Sequence, residues 1–153
     1  MTKPEAHNDD DANAGVAERH TAQGRQHIRF GCYALLVFIV LGFALEMFHA
    51  LRFGFYLSDE TEPRRLMWTL AHAHGALVAL IHIAFGAIWP QLEPAARLET
   101  ASLCLRGAMV ALPGGFFLGG LWVIPPDPGL GIVLVPIGGL LLVAAVAFVA
   151  RQT

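Results

Sequence analysis

The sequence predicts an all-α integral membrane protein with four transmembrane helices in an up-down-up-down bundle. Of its 153 residues, 56% are hydrophobic and only 14% are charged, a composition typical of membrane proteins. Four apolar runs each reach the roughly 20 residues that a helix needs to cross a hydrocarbon core about 30 Å thick. Because short connectors containing charged residues or proline separate these runs, consecutive helices are expected to pack side by side.

The N-terminal segment, residues 1–28, is predicted to form a disordered cytoplasmic tail, since it contains three consecutive aspartates at 9–11 and few large apolar side chains. Three histidines in this tail have no regular metal-ligand spacing and are expected to be solvated: His7, His20 and His27. Residues 29–153 are predicted to form the transmembrane domain. Its spans are expected at about 30–52, 66–89, 98–123 and 129–150.

Basic residues predict the orientation. With the N-terminus inside, the inner side carries six lysines or arginines and the outer side three. The positive-inside rule therefore predicts a multi-pass protein of the bacterial inner membrane with both termini in the cytoplasm. The expected partners are the lipid bilayer and either other membrane subunits or further copies of the chain. Because the net charge is -2 and no basic stripe is present, nucleic acid is excluded as a partner.

Four ionisable residues are predicted to share one layer near the outer face: Glu46, His49, His72 and His74. Ionisable groups inside a span are costly in hydrocarbon and are therefore functional candidates. Glu46 and His49 form an E-x-x-H pair on one helical face. Because the chain has one such motif and no further glutamates on the other helices, a di-iron site is not expected.

Helical geometry divides the three histidines of the second span. His72 and His74 lie two residues apart, which places them about 200° apart around the helix, so one metal ion cannot bind both. His82 lies deeper in the membrane, in the same layer as Arg106 of the third span. The Arg106 side chain is expected to extend to the cytoplasmic interface.

One broad face of the second span carries Ala71, Gly75, Ala79, His82 and Gly86, so a strip of small residues accompanies the histidines. Such a strip has two interpretations. It allows close approach of a neighbouring helix, or it leaves room for a flat cofactor. Close packing is the commoner outcome.

Three functions are compatible with these residues. The first is a non-enzymatic accessory or structural membrane subunit, in which the Glu/His cluster forms hydrogen bonds between helices. The second is a redox protein that binds b-type haem or a metal ion, with His49 and His72 or His74 as axial ligands and Glu46 orienting a histidine. The third is a proton relay or transporter element. No catalytic residue is predicted, and the sequence favours the first function.

The stretch "LAHAHGALVALIHIAFG" resembles the histidine-bearing helix of haem-copper oxidases and nitric oxide reductases, where a histidine followed by small residues binds haem. It also resembles the "WTLAHAHG" segment of small bacterial four-span membrane proteins of uncharacterised function. The resemblance covers one helix of four, and the chain lacks the additional spans and separated histidines of the oxidase subunit. It therefore implies an axial haem ligand at His72 or His74, and it does not imply reduction of oxygen or nitric oxide.

Overall fold

The computed structural model describes residues 5–124 and 126–152, with side chains from residue 14 onwards. Within these ranges the chain forms five α-helices: α1 (Glu5–Ala50), α2 (Gly54–Leu57), α3 (Glu62–Ile88), α4 (Ala96–Leu121) and α5 (Leu134–Ala150). Short 3-10 turns occur at Asp59–Thr61, Trp89–Gln91 and Leu130–Val133. The described part of the chain contains no strand beyond an isolated bridge between Ile124 and Asp127, which confirms the all-α class.

Four segments of the structure are helical, long and apolar enough to cross a membrane, as predicted: Ala14–Ala50, Asp59–Gln91, Ala96–Leu121 and Leu130–Ala150. Helix α3 begins earlier than the predicted span because its charged first turn is also helical, with Pro63 at a position where the ring favours helix formation. Helix α5 begins later than predicted, since a 3-10 turn precedes it. The helix boundaries therefore follow turn chemistry rather than hydropathy.

The largest difference from the prediction concerns the N-terminal segment. Helix α1 starts at Glu5 and continues without a break through the residues for which disorder was expected. The prediction that His27 is solvated is wrong, because its side chain is only 1% exposed. His20 is half-buried, and the side chain of His7 lies outside the described residues. A narrow strip of this segment, which includes Gly24 and His27, packs against the end of α3.

The helices pack in sequential order, with α1 against α3, α3 against α4 and α4 against α5. Along the first contact, Gly24 approaches Gly86, and further along α1 the ring of Phe38 lies against Gly75. The buried apolar side chains belong mainly to α3 and α4. Helices α1 and α5 leave many large apolar side chains exposed.

The C-terminal end of α4 is held by hydrogen bonds from other segments. The last carbonyls of a helix lack a partner within the helix, and here Arg64 Nε donates to the Gly120 carbonyl at 3.1 Å. The backbone N–H of Gly129 donates to the Gly119 carbonyl at 2.8 Å. These bonds position the loop before α5 beside the start of α3, where the candidate site lies.

Candidate functional site

A groove of about 1250 Å³ lies between the end of α1 and the start of α3. We call it the α1–α3 groove. Its ionisable lining residues are Glu46, His49, Asp59, Glu62, Arg65 and His72. Its apolar lining includes Ile39, Phe43, Tyr56, Leu66 and Met67. The structure thus brings Glu46, His49 and His72 together in one space, which combines polar and apolar surface.

A Schellman motif at the end of α1 places His49 at the rim of this groove. The N–H of Phe53 donates to the Phe48 carbonyl at 3.1 Å, and the N–H of Arg52 donates to the His49 carbonyl at 3.1 Å. Arg52 has a φ of 54°, in the left-handed region that this motif requires. The rings of Phe48 and Phe53, 5.7 Å apart, provide the accompanying apolar contact. The chain direction after His49 is therefore fixed by local bonds.

His72 is oriented by the backbone of α1. Its Nδ1 lies 2.7 Å from the Phe38 carbonyl, and because a carbonyl only accepts, Nδ1 carries the proton in this bond. In a neutral imidazole, Nε2 then has a free lone pair and acts as an acceptor. A side chain at Gly42 would overlap the imidazole, so the glycine gives the ring its space.

His74 does not line the α1–α3 groove, unlike Glu46, His49 and His72. Its Nδ1 bonds to the Leu70 carbonyl of its own helix at 2.9 Å. Its ring packs 4.8 Å from the ring of Phe116 on α4. The divergence expected for residues two apart is thus observed, with His72 against α1 and His74 against α4.

A second polar site, the histidine pair, consists of His27 on α1 and His82 on α3. Both side chains are buried, with exposures of 1% and 0%. Their Nδ1 atoms lie 2.9 Å apart. The remaining nitrogens contact α4, where His27 Nε2 lies 2.8 Å from Ser102 Oγ and His82 Nε2 lies 3.3 Å from the Leu105 carbonyl.

These contacts define one consistent set of tautomers. The Leu105 carbonyl only accepts, so His82 Nε2 donates and Nδ1 of the neutral ring accepts. His27 Nδ1 therefore donates to His82, and His27 Nε2 accepts from the Ser102 hydroxyl. Every ring nitrogen has a partner, and the chain of bonds joins α1, α3 and α4.

Aromatic side chains surround the histidine pair. The Trp89 ring stacks on His27 with centroids 5.5 Å apart, and Phe30 meets His82 edge-on at 4.8 Å. His20 also lies against Trp89, with ring centroids 5.5 Å apart. These contacts shield the hydrogen bonds from water, which strengthens them.

The sequence contains a signal for this pair that hydropathy does not detect. On α1, His20, Gly24, His27 and Gly31 recur at spacings of three and four, which defines one helical face. The corresponding face of α3 carries Ala79, His82 and Gly86. Matching histidines flanked by small residues on both helices indicate a close contact, whereas the composition of residues 1–28 predicts a disordered tail in which His27 is solvated.

The remaining predictions for α3 and α4 can be compared directly with the contacts. His82 bonds to the carbonyl next to Arg106, in agreement with their predicted shared layer, and the Arg106 side chain is exposed. The strip of small residues packs against α1, since a Cβ at Gly31 would lie 2.8 Å from the Ala79 carbonyl oxygen. The strip is thus in close contact with a neighbouring helix, as the close-packing interpretation predicts.

Among the side chains of residues 14–124 and 126–152, no group of three or more His, Cys, Asp or Glu has a geometry that could hold a metal ion. No family model matches the chain, and comparisons with curated proteins and with solved structures gave no significant match. The fold therefore defines the class as a helical protein with four helices able to cross a membrane. The groove and the histidine pair are the sites from which its function is inferred.

Proposed function

We propose that the chain is a multi-pass protein of the bacterial inner membrane with both termini in the cytoplasm. The excess of basic residues on one side of the apolar helices supports this orientation. Large apolar side chains exposed along α1 and α5, such as Val37, Val40, Leu140 and Val143, support contact with lipid. Consecutive long helices pack against each other, and α1 and α3 run antiparallel. Both observations support an up-down-up-down order of α1, α3, α4 and α5.

Within that membrane, the proposed function is non-enzymatic binding of an amphipathic ligand in the α1–α3 groove. The observation that carries this proposal is the groove itself, where Glu46, His49 and His72 share one space of about 1250 Å³ with aliphatic and aromatic side chains. Ligand sites combine apolar walls with a few convergent polar groups in this way. The protein acts as an accessory subunit that holds or presents this ligand.

The lining of the groove changes from polar to apolar along α1. His49 lies at the end of the helix and Ile39 lies ten residues earlier, so the two are separated by about 15 Å along the axis. Asp59, in the 3-10 turn before α3, and Glu62, the first residue of α3, lie near the polar end. This arrangement suits a molecule with a polar head near the helix ends and an apolar chain directed into the span.

The part of the α1–α3 interface that separates the groove from the histidine pair favours ligand binding over a proton relay. Between the two sites, α1 and α3 meet through Phe38 and Gly75 and then through Gly31 and Ala79, which carry no titratable side chains. A relay across the membrane requires a continuous line of polar groups or water. The histidine pair is accordingly assigned a structural role in joining three helices.

Filling the groove is expected to reduce ligand retention. Leu66→Trp adds a bulky ring at a lining position, and we expect the purified variant to retain at least about fivefold less phospholipid, which corresponds to roughly 1 kcal/mol. Native mass spectrometry in a non-ionic detergent, after incubation with phosphatidylethanolamine, phosphatidylcholine and phosphatidylglycerol, measures the retained lipid.

Leu77→Trp is the matched control, because Leu77 lies on the same helix, is 51% exposed against 54% for Leu66, and does not line the groove. This variant is expected to retain lipid as the unmodified chain does. Equal retention of lipid by both variants, or no bound amphiphile of any class on the unmodified chain, contradicts the proposed function.

Haem binding is a second candidate, favoured by the orientation of His72. A ligating histidine usually donates its other N–H to a carbonyl, as His72 Nδ1 does to Phe38 at 2.7 Å, and His49 from another helix lines the same groove. If haem binds in the groove, the purified chain shows a Soret band in its absorption spectrum after incubation with haemin. His72→Ala is expected to abolish the band and His74→Ala to preserve it, whereas a colourless preparation excludes this function.

A further inference from the structure

We propose that the ligand of the α1–α3 groove carries a primary ammonium group, which the acceptors of the groove bind. This inference rests on the ligand-binding function proposed above and specifies the chemistry of the polar head. Three carboxylates line the groove, Glu46, Asp59 and Glu62, against one basic side chain, Arg65. The charged lining is therefore acidic and attracts a cation.

The carboxylates are free to bind a ligand. Within residues 14–124 and 126–152, none of the three carboxylates makes a hydrogen bond or ion pair with another side chain. They come from three different elements, the end of α1, the 3-10 turn and the first turn of α3. The negative charge along the groove therefore comes from three separate segments of the chain.

His72 provides an argument that is independent of the carboxylate charge. Its Nδ1–H is used by the Phe38 carbonyl, so in the neutral imidazole the nitrogen left for a ligand is an acceptor. Ionised carboxylates also only accept. The groove thus offers a set of acceptors, which selects a head group that has N–H donors as well as positive charge.

Two kinds of molecule satisfy this chemistry, an ethanolamine phospholipid and a free alkylamine. Both have a primary ammonium head and an apolar chain that fits the stretch from Glu46 to Ile39 along α1. A quaternary trimethylammonium head has the same charge without N–H donors. Comparison of primary with quaternary heads therefore separates this proposal from simple charge attraction.

The test uses the full chain in a non-ionic detergent with two sets of probes. In the lipid arm, equimolar phosphatidylethanolamine, phosphatidylcholine and phosphatidylglycerol compete, and native mass spectrometry counts each bound class. In the amine arm, equimolar dodecylamine and dodecyltrimethylammonium compete, and native mass spectrometry counts each bound amine. We expect preference for the primary ammonium probe by roughly fivefold or more in at least one arm.

Variants link the preference to the groove. Glu46→Gln/Glu62→Gln and, separately, Asp59→Asn are expected to bring the ratio of primary to quaternary probes close to one. Glu60→Gln is the matched control, since Glu60 lies beside Asp59 in the 3-10 turn but does not line the groove, and it is expected to keep the full ratio. Asp59→Asn changes an exposed side chain, so its fold is expected to be intact.

The outcomes identify the ligand source or overturn the inference. Preference in the lipid arm indicates a lipid head group, and preference in the amine arm alone indicates a free amine. Equal binding of primary and quaternary heads, or preference for phosphatidylglycerol, overturns the ammonium proposal while the groove remains a lipid site. Absence of any bound amphiphile overturns the proposed function itself.

Discussion

Replacement of His82 by leucine is expected to lower the free energy of unfolding by about 2–3 kcal/mol. The change removes two hydrogen bonds that cross between helices, to His27 and to the Leu105 carbonyl. It also leaves one nitrogen of the fully buried His27 ring without a partner. A change of tautomer does not rescue that ring, since an unpaired donor becomes an unpaired acceptor. Unfolding of the detergent-solubilised chain in a denaturant series measures the effect.

The double variant His27→Leu/His82→Leu separates lost bonds from the cost of an orphaned group. Removing both rings leaves no unpaired imidazole, and the Ser102 hydroxyl is able to bond within its own helix. We therefore expect the double variant to be more stable than the sum of the two single effects predicts, by about 1–2 kcal/mol. His74→Leu is the control with a small effect, because its Nδ1 bonds within α3. If the losses of stability in the two single variants simply add up in the double variant, the hydrogen bond between His27 and His82 is contradicted.

Gly86→Ala is expected to destabilise the chain by about 1–3 kcal/mol, although alanine favours helices more than glycine does. The added Cβ would lie 2.5 Å from the Gly24 carbonyl oxygen and 2.9 Å from the backbone nitrogen of Ile28. Both atoms belong to the backbone of α1, so rotation of a side chain does not relieve these two overlaps. The helices must separate, which weakens the neighbouring histidine pair. The melting temperature in detergent reports the loss.

Gly139→Ala in α5 is the matched control, because nothing lies within 4 Å of a Cβ built at this position. There the helix propensity of alanine acts alone, and we expect an unchanged or slightly higher stability, by up to about 1 kcal/mol. Gly114→Ala in α4 is equally open and gives a second control. An equal loss of stability in all three variants shows that close contact of α1 and α3 is not the cause.

Hydropathy predicted the apolar helices well because exposed apolar side chains raise the mean hydropathy of these segments. Leu36, Val37 and Val40 on α1 are exposed, and their apolar character is visible in any window of the sequence. The first part of α1 has no such signal. Its buried strip consists of Gly24, His27 and Gly31, and a glycine or a histidine adds nothing to a hydropathy average. A helix held by close approach and hydrogen bonds is therefore missed by composition.

Part of the candidate site followed from helical geometry. The depths along two helices placed Glu46, His49 and His72 together, and these residues line one groove. His74 lies at a similar depth, but its side chain is on the face of α3 that contacts α4. Asp59, Glu62 and Arg65 were not predicted, since they lie in a connector that the sequence describes only as a break between spans. Their placement depends on the fold of residues 53–63, which periodicity does not specify.

The sequential packing of the helices has a consequence for biosynthesis. Each long helix after α1 makes backbone contacts with the long helix that precedes it in the chain, and within the described residues no backbone contact joins α1 to α5. Assembly then needs no closure between the ends of the chain, and each segment is able to dock as it leaves the ribosome. The bond from Ser102 to His27 forms only once α4 arrives, so the nascent α1–α3 hairpin stays incomplete until the third long helix is made.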